Sequence, residues 1–297
     1  INMAVSDKNI SSGLIAAGVA AAFHPIVYAK ILIQVGHEPL RPTLTKTLLG
    51  KEVLMYPNAF KYVNEIRRQD GFFGLYRGLT AKIAGSVVGN FVSVTIQQKF
   101  FAKVEADDIA EEIEEDEDPL KTVKKFCVET SQEMVCRCAG VIASQPFHVI
   151  MVRTMSQFVG RENTYSNIFS SFREVYDSDG ILGFFKGLVP RLLGEIISIW
   201  LANVLTHLIN TYAFKDNKEI QSYTQAACGL GVTHLTYPFT LVSTVMAVTN
   251  SGLAAGSPPT MAHFSSWTDC WSFLSTQGEL KRGSSMFWRY TPVPKLS

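Results

Sequence analysis

Charge is scarce in this 297-residue sequence: Asp, Glu, Lys and Arg supply 18% of it against 47% apolar residues, and the mean hydropathy is +0.13. That balance disfavours a soluble domain of this length and favours a membrane protein. Cysteine is sparse too. Cys127, Cys136, Cys138, Cys228 and Cys270 form an odd set without paired spacing, which argues against a disulfide framework and a zinc site. A Gly-rich nucleotide loop, a His-Glu-x-x-His helix and a Gly-x-Ser-x-Gly elbow are all missing, so neither catalysis nor a cofactor is expected. The first apolar stretch, Gly13 to Ala22, lacks a basic leader and runs on past Pro25, unlike a cleavable signal peptide. Lys and Arg are spread among hydrophobic spans rather than clustered with aromatics, so nucleic acid is not an expected partner.

The charges that are present are unevenly placed. Ten of the 26 acidic residues fall between Glu105 and Asp118, leaving 16 elsewhere to set against 27 Lys and Arg, a balance of +11. The acidic run reads as a solvated loop. An internal repeat organises the remainder. Asp70 to Gly85 (DGFFGLYRGLTAKIAG) and Asp179 to Gly194 (DGILGFFKGLVPRLLG) share four glycines at the same offsets and an aromatic-basic-Gly-Leu pattern. A degraded third copy is expected at Gly278, followed by an insertion and then Phe287-Trp288-Arg289. This divides the chain into a first repeat (1–104), an acidic loop (105–120), a second repeat (121–216) and a truncated third (217–297).

Each repeat opens with an apolar span interrupted by a proline, Pro25, Pro146 or Pro238, which should kink a helix. A short amphipathic helix follows, marked by Ile168, Phe172 and Val175 in the second repeat and by Trp267, Trp271 and Leu274 in the third. A glycine turn then leads into a second span, about Leu79 to Lys103 and about Leu188 to Phe214, each long enough to cross a bilayer. In the third repeat only eight residues follow Arg289, so five spans are expected rather than six.

Every expected span carries a polar stripe. Lys82, Ser86, Asn90, Ser93 and Gln97 share roughly an 80° arc of the second helix. The third helix holds Thr130, Glu133, Arg137, Ser144 and His148, with Glu133 four residues before Arg137, the favourable order for an ion pair. The fourth holds Glu195, Ser198, Asn203, Thr206 and Asn210. On the fifth lie Gln225, Thr233, Thr236, Thr240 and Ser243, with Tyr237 beside the kink, and the first adds Ser12, Lys30 and Gln34. A single Ser or Thr is better explained by helix packing or by bonding to its own backbone. Ionisable groups such as Lys30, Lys82, Arg137, His148 and Glu195 are too expensive in hydrocarbon for packing alone and imply a shared hydrated interior. Gly85 and Gly89 read as a close helix contact, and Arg77 and Arg191, near span ends, are expected to snorkel toward headgroups.

Pro25-Ile-Val-Tyr-Ala-Lys30, followed by Asp70-Gly71 and Tyr76-Arg77-Gly78, resembles the signature of the mitochondrial carrier family, in which Pro-x-acid-x-x-base precedes an acid-Gly and aromatic-basic-Gly turn. The resemblance covers nearly the whole chain and implies three helix pairs with surface helices between them. It also departs from the family. The acidic gate positions hold Val27, His148 and Thr240 and the basic ones Lys30, Met151 and Ser243; the second gate motif is absent, so alternating access is not expected. With these losses, the segments Leu32 to Gly36, Gly183 to Gly194 and Leu235 to Phe239 are similar to the mitochondrial carrier homologue branch. That resemblance implies an all-α, multi-pass protein of the outer mitochondrial membrane whose missing sixth helix leaves a hydrophilic groove open to lipid between the first and fifth helices. It further implies an insertase for tail-anchored and other α-helical clients and a docking site for a pro-apoptotic BH3 protein; the hydrated path itself would also let lipid headgroups cross, so lipid scrambling is a secondary expectation. The stripe residues from Lys30 to Thr240 would line the groove. A receptor or scaffold without insertase activity and a solute carrier remain the alternatives.

Overall fold

The computed structural model describes residues 2–46, 52–101, 119–212 and 218–290. In chain order it holds α1 (Asn2–Gln34), β1 (Thr43–Lys46), β2 (Glu52–Tyr56), α2 (Ala59–Gly74), α3 (Leu79–Ile96, prolonged by a π-helical turn Gln97–Phe101) and α4 (Pro119–Ser156). There follow α5 (Ile168–Gly183), α6 (Leu188–Tyr212), α7 (Lys218–Val248), α8 (Trp267–Thr276) and β3 (Arg289–Tyr290). The acidic run lies outside the described residues.

The three prolines lie inside α1, α4 and α7. Four segments are long and apolar enough to cross a membrane: Ala17–Gln34, Leu79–Phe101, Val123–Ser156 and Leu188–Tyr212. The 31 residues of α7 reach about 46 Å at 1.5 Å per residue, which is also spanning length, but Thr233, His234, Thr236 and Thr240 dilute its apolar character and it is not among the four.

Local chemistry repeats with the sequence. Asn58, Asn167 and Ser266 cap α2, α5 and α8, each side chain accepting from the backbone N–H three residues on. Positive-φ glycines then turn the chain: Gly71 and Gly78, Gly180 and Gly187, and Gly278 and Gly283. The third repeat therefore keeps its turn. Its basic-Gly pair is Arg282-Gly283, and the expected Phe287-Trp288-Arg289 lies beyond the turn, because the segment between the two glycines is shorter by two residues rather than longer.

Two compact units cut across the repeats: residues 1–84, 146–186 and 244–297 form the first, residues 85–145 and 187–243 the second. The first unit holds a dense core built largely from the segments that follow the prolines. Tyr28, Leu32 and Ile33 of α1, Val149, Ile150 and Met155 of α4, and Val245 and Val248 of α7 are all buried, with Ile66, Val175 and Leu274 contributed by the three surface helices. This unit also contains a three-stranded antiparallel sheet, β1-β2-β3, with Leu44 opposite Leu54 and Tyr56 opposite Arg289. The sheet is an addition to the expected all-α architecture; strands of two to five residues leave too short an alternation to be seen in sequence.

In the second unit, α3 and α4 meet where Gly89 faces Gly140: a Cβ on Gly140 would stand 2.7 Å from the Gly89 carbonyl. The expected close contact of the Gly85–Gly89 face is thus made at Gly89. Otherwise the unit is open, with only 17% of the α3 span and 11% of the α6 span buried.

Candidate functional site

The second unit carries part of the polar stripes on surfaces that protein does not cover. On α3, Ser86, Asn90 and Gln97 are exposed along one face, and Val87, Phe91 and Val94 are exposed on another about 100° away. Two exposed faces of opposite polarity on one span call for two media, lipid for the valines and phenylalanine and water for the amides and hydroxyl. The remaining face packs on α4, and there the Ser93 hydroxyl donates to the Cys136 carbonyl at 2.8 Å. Ser93 thus joins helices rather than lining open space.

Between α4 and α6 the charges form a network. Arg137 stands 3.7 Å from Glu133, as the four-residue spacing foretold, and its other side reaches Glu195 at 4.0 Å. The Asn203 amide donates to Glu133 at 3.0 Å and approaches the Thr130 hydroxyl at 3.5 Å. None of the three charged side chains is sealed: they are 59%, 41% and 32% exposed for Arg137, Glu133 and Glu195. Ser198 and Thr236 share a hydrogen bond at 2.8 Å between α6 and α7, with Thr236 buried and also donating to Val232. Arg191 does not snorkel. Its guanidinium donates at 2.7 Å to the buried Gln145, because that amide sits within reach on α4 and a bond to it removes the cost of an unpaired group. Thr240 is exposed; Tyr237 is buried and offers no surface in this conformation.

The other expected site residues belong to the first unit. Lys30, Lys82 and His148 are half-buried there. Gln34 is buried, and its backbone carbonyl accepts two bonds from Arg282, at 2.7 and 3.1 Å. Arg77 is likewise engaged by protein: Asp70 holds its side chain at 3.0 Å and its carbonyl bonds His24 at 2.8 Å.

Sequence reasoning passed over what the repeated acid and base do. Asp179 and Lys186 pair at 2.8 Å, as Asp70 and Arg77 do with the same seven-residue spacing, and that repetition was the available signal. Asp179 also binds the fully buried Arg153 at 2.6 Å, while Arg153 donates to the Ala247 carbonyl at 3.0 Å. Burial works to raise the Asp179 pKa, but the bonds and charges of Lys186 and Arg153 outweigh it and hold the carboxyl below its ordinary range. Lys186 donates further to the Thr249 carbonyl at the end of α7, as Arg282 does to Gln34 at the end of α1. Gly78 likewise abuts the Met151 carbonyl on α4, and Gly187 the Ser243 carbonyl on α7. Each turn is seated on the proline-containing helix of the next repeat, the third returning to the first.

Proline-interrupted spans, capped surface helices and glycine turns with a built-in acid–base pair, repeated in series, define a carrier-type helical membrane protein. Residues 6–104 and 131–216 match the family described as "Mitochondrial carrier protein". The chain is 41% identical to mitochondrial carrier homolog 2 of Mus musculus over 289 residues, covering 96% of this chain and 95% of that protein. It is equally similar to mitochondrial carrier homolog 2 of Homo sapiens, 41% over 292 residues with the same coverage. Against mitochondrial carrier homolog 1 of Mus musculus the identity is 41% over 294 residues, 92% of this chain and 74% of that one. The chain belongs to the mitochondrial carrier family, as a divergent member, and is a mitochondrial membrane protein.

Proposed function

We propose that the chain is an insertase of the outer mitochondrial membrane for tail-anchored and other α-helical proteins. The observation that carries this reading is the Glu133–Arg137–Glu195–Asn203 network: charged groups inside apolar spans, partly exposed, need water beside them. In this reading α3, α4, α6 and α7 line a hydrated groove. It opens to lipid beside α7, where the third repeat has no second span among the described residues. An incoming apolar helix enters lipid along that opening while its short polar tail passes the wetted stripe, which lowers a barrier otherwise set by exposing polar groups to hydrocarbon. Burying about 20 apolar residues drives the product downhill without covalent chemistry or an energy source. The same path would let lipid headgroups cross, giving scramblase activity.

The test is reconstitution of the purified chain in vesicles with one tail-anchored client. Insertion is scored as protease-protected, carbonate-resistant product, with Glu195→Arg and Arg137→Glu compared with the unaltered chain. Both reversals are expected to slow insertion at equal protein yield; unchanged rates would refute the groove. A client bound but never embedded would support a receptor for an apoptotic BH3 helix instead, and saturable exchange of a small anion would support a solute carrier.

A further inference from the structure

In the first two repeats the second positive-φ glycine hands the chain straight to a membrane span, at Leu79 after Gly78 and at Leu188 after Gly187. After Gly283 the chain instead turns back onto the first repeat. The Met286 carbonyl accepts from the Ala59 N–H at 2.8 Å, and β3 pairs with β2. Arg289 pairs with Glu38, donates to the Pro57 carbonyl at 2.6 Å and lies over the rings of Tyr56 and Tyr62 at 5.4 and 5.8 Å. The strap is therefore fixed by its arginine, which is only 7% exposed, while its aromatic residues face outward.

That arrangement inverts what water would select. Trp288 is 65% exposed, Tyr290 54% and Phe287 44%, and Phe60 at the start of α2, 62% exposed, meets Phe287 with 5.7 Å between ring centroids. The depth of the strap follows from its contacts. Arg282, just before it, donates to the carbonyl of Gln34, the last residue of a candidate membrane span, and Glu38, the ion-pair partner of Arg289, comes four residues later. The patch is thus tied to the end of a segment long enough to cross a bilayer, the level at which such a span would meet the headgroup layer, where Trp and Tyr are favoured.

We propose that residues 284–290 form an interfacial membrane anchor, with Phe287, Trp288, Tyr290 and Phe60 seated in the headgroup layer of the bilayer where the other repeats start a second span. The occupant is the lipid surface itself.

Two measurements on the full chain in phosphatidylcholine–phosphatidylethanolamine vesicles test this. First, a photoreactive benzoylphenylalanine replaces Trp288 and, in a separate control, the exposed Phe91 of α3. On irradiation both positions are expected to gain the mass of one phospholipid; an adduct at position 91 with none at position 288 overturns the proposal, as does a protein adduct in place of lipid in whole mitochondria. Second, Trp200, Trp267 and Trp271 are replaced by Phe so that Trp288 alone emits. Phosphatidylcholine brominated near the headgroup should lower that emission roughly twofold, as for a ring held at the interface. Quenching by aqueous acrylamide without any by brominated lipid overturns the anchor. Should the single-tryptophan chain fail to fold, the crosslinking comparison decides alone.

Discussion

Reversing the charge of Glu195 measures how wet the second unit is. Glu195 stands 4.0 Å from Arg137, so Glu195→Arg replaces an attraction by a repulsion at about that distance. Coulomb's law gives about 1 kcal/mol for each at the dielectric of water, hence a swing of about 2 kcal/mol, and about 8 kcal/mol at an effective dielectric of 20. The 59% and 32% exposures of the two side chains place the pair at the weak end, where exposed ion pairs contribute about 1 kcal/mol or less. The expected destabilisation of Glu195→Arg is therefore about 1–2 kcal/mol, and the double reversal Arg137→Glu with Glu195→Arg should restore no more than that. Thermal and denaturant unfolding of the four proteins in lipid nanodiscs closes the cycle. A coupling above about 4 kcal/mol, or a single reversal that yields no folded protein, would mean a dry interface, and the hydrated groove would fall with it.

Gly140→Ala should destabilise by about 1–3 kcal/mol in the same unfolding assay, because the added Cβ would press on the Gly89 carbonyl of α3, whereas Gly18→Ala, with nothing within 4 Å, should be neutral or stabilise by up to about 1 kcal/mol. Arg153→Met should cost about 3 kcal/mol or more, since it strips a buried guanidinium from Asp179 and from the Ala247 carbonyl. Asp179 also sets an acid limb. Its folded pKa lies below the ordinary value of 3.8, so its contribution is complete above that value and disappears as pH falls through the folded one; stability of the Asp179→Asn chain should lose that part of the pH dependence. Finally, a cysteine at Asn90 should react readily with a water-soluble maleimide while one at Ile150 stays unmodified, and comparable labelling rates would contradict the assigned burial.

Much of this was legible in the sequence because the repeat gives each reading a second copy. The prolines, the glycine turns and the spans starting at Leu79 and Leu188 follow from periodicity and from aligned offsets, and Glu133–Arg137 follows from helical spacing alone. Contacts between distant segments were not legible. Nothing local announces that Arg191 will find Gln145, or that Arg153 will be fully buried beside Asp179, since those pairings depend on how separate helices are brought together. Arg282 was missed for a different reason: the third turn is two residues shorter where an insertion was expected, and the aromatic-aromatic-basic pattern at Arg289, which has another task, fitted that insertion. Gln34 read as a stripe residue because of its position on the helix, but its end of α1 packs into the core of the first unit.

The contrast between the two units bears on mechanism. A carrier opens by breaking charged pairs that water can replace, yet among the family's gate positions this chain keeps one charge, Lys30, and the segments after the prolines are buried chiefly as apolar core. Separating them would expose Leu32, Ile33, Ile150, Met155, Val245 and Val248 together with Tyr28. At about 1.5–3 kcal/mol for each side chain that comes to about 10–20 kcal/mol, as large as the total stability of a typical domain. That cost is far above the roughly 1 kcal/mol of an exposed ion pair, and it weighs against the solute-carrier alternative to the proposed insertase. The charges of the second unit, being partly exposed already, need no such opening to be reached.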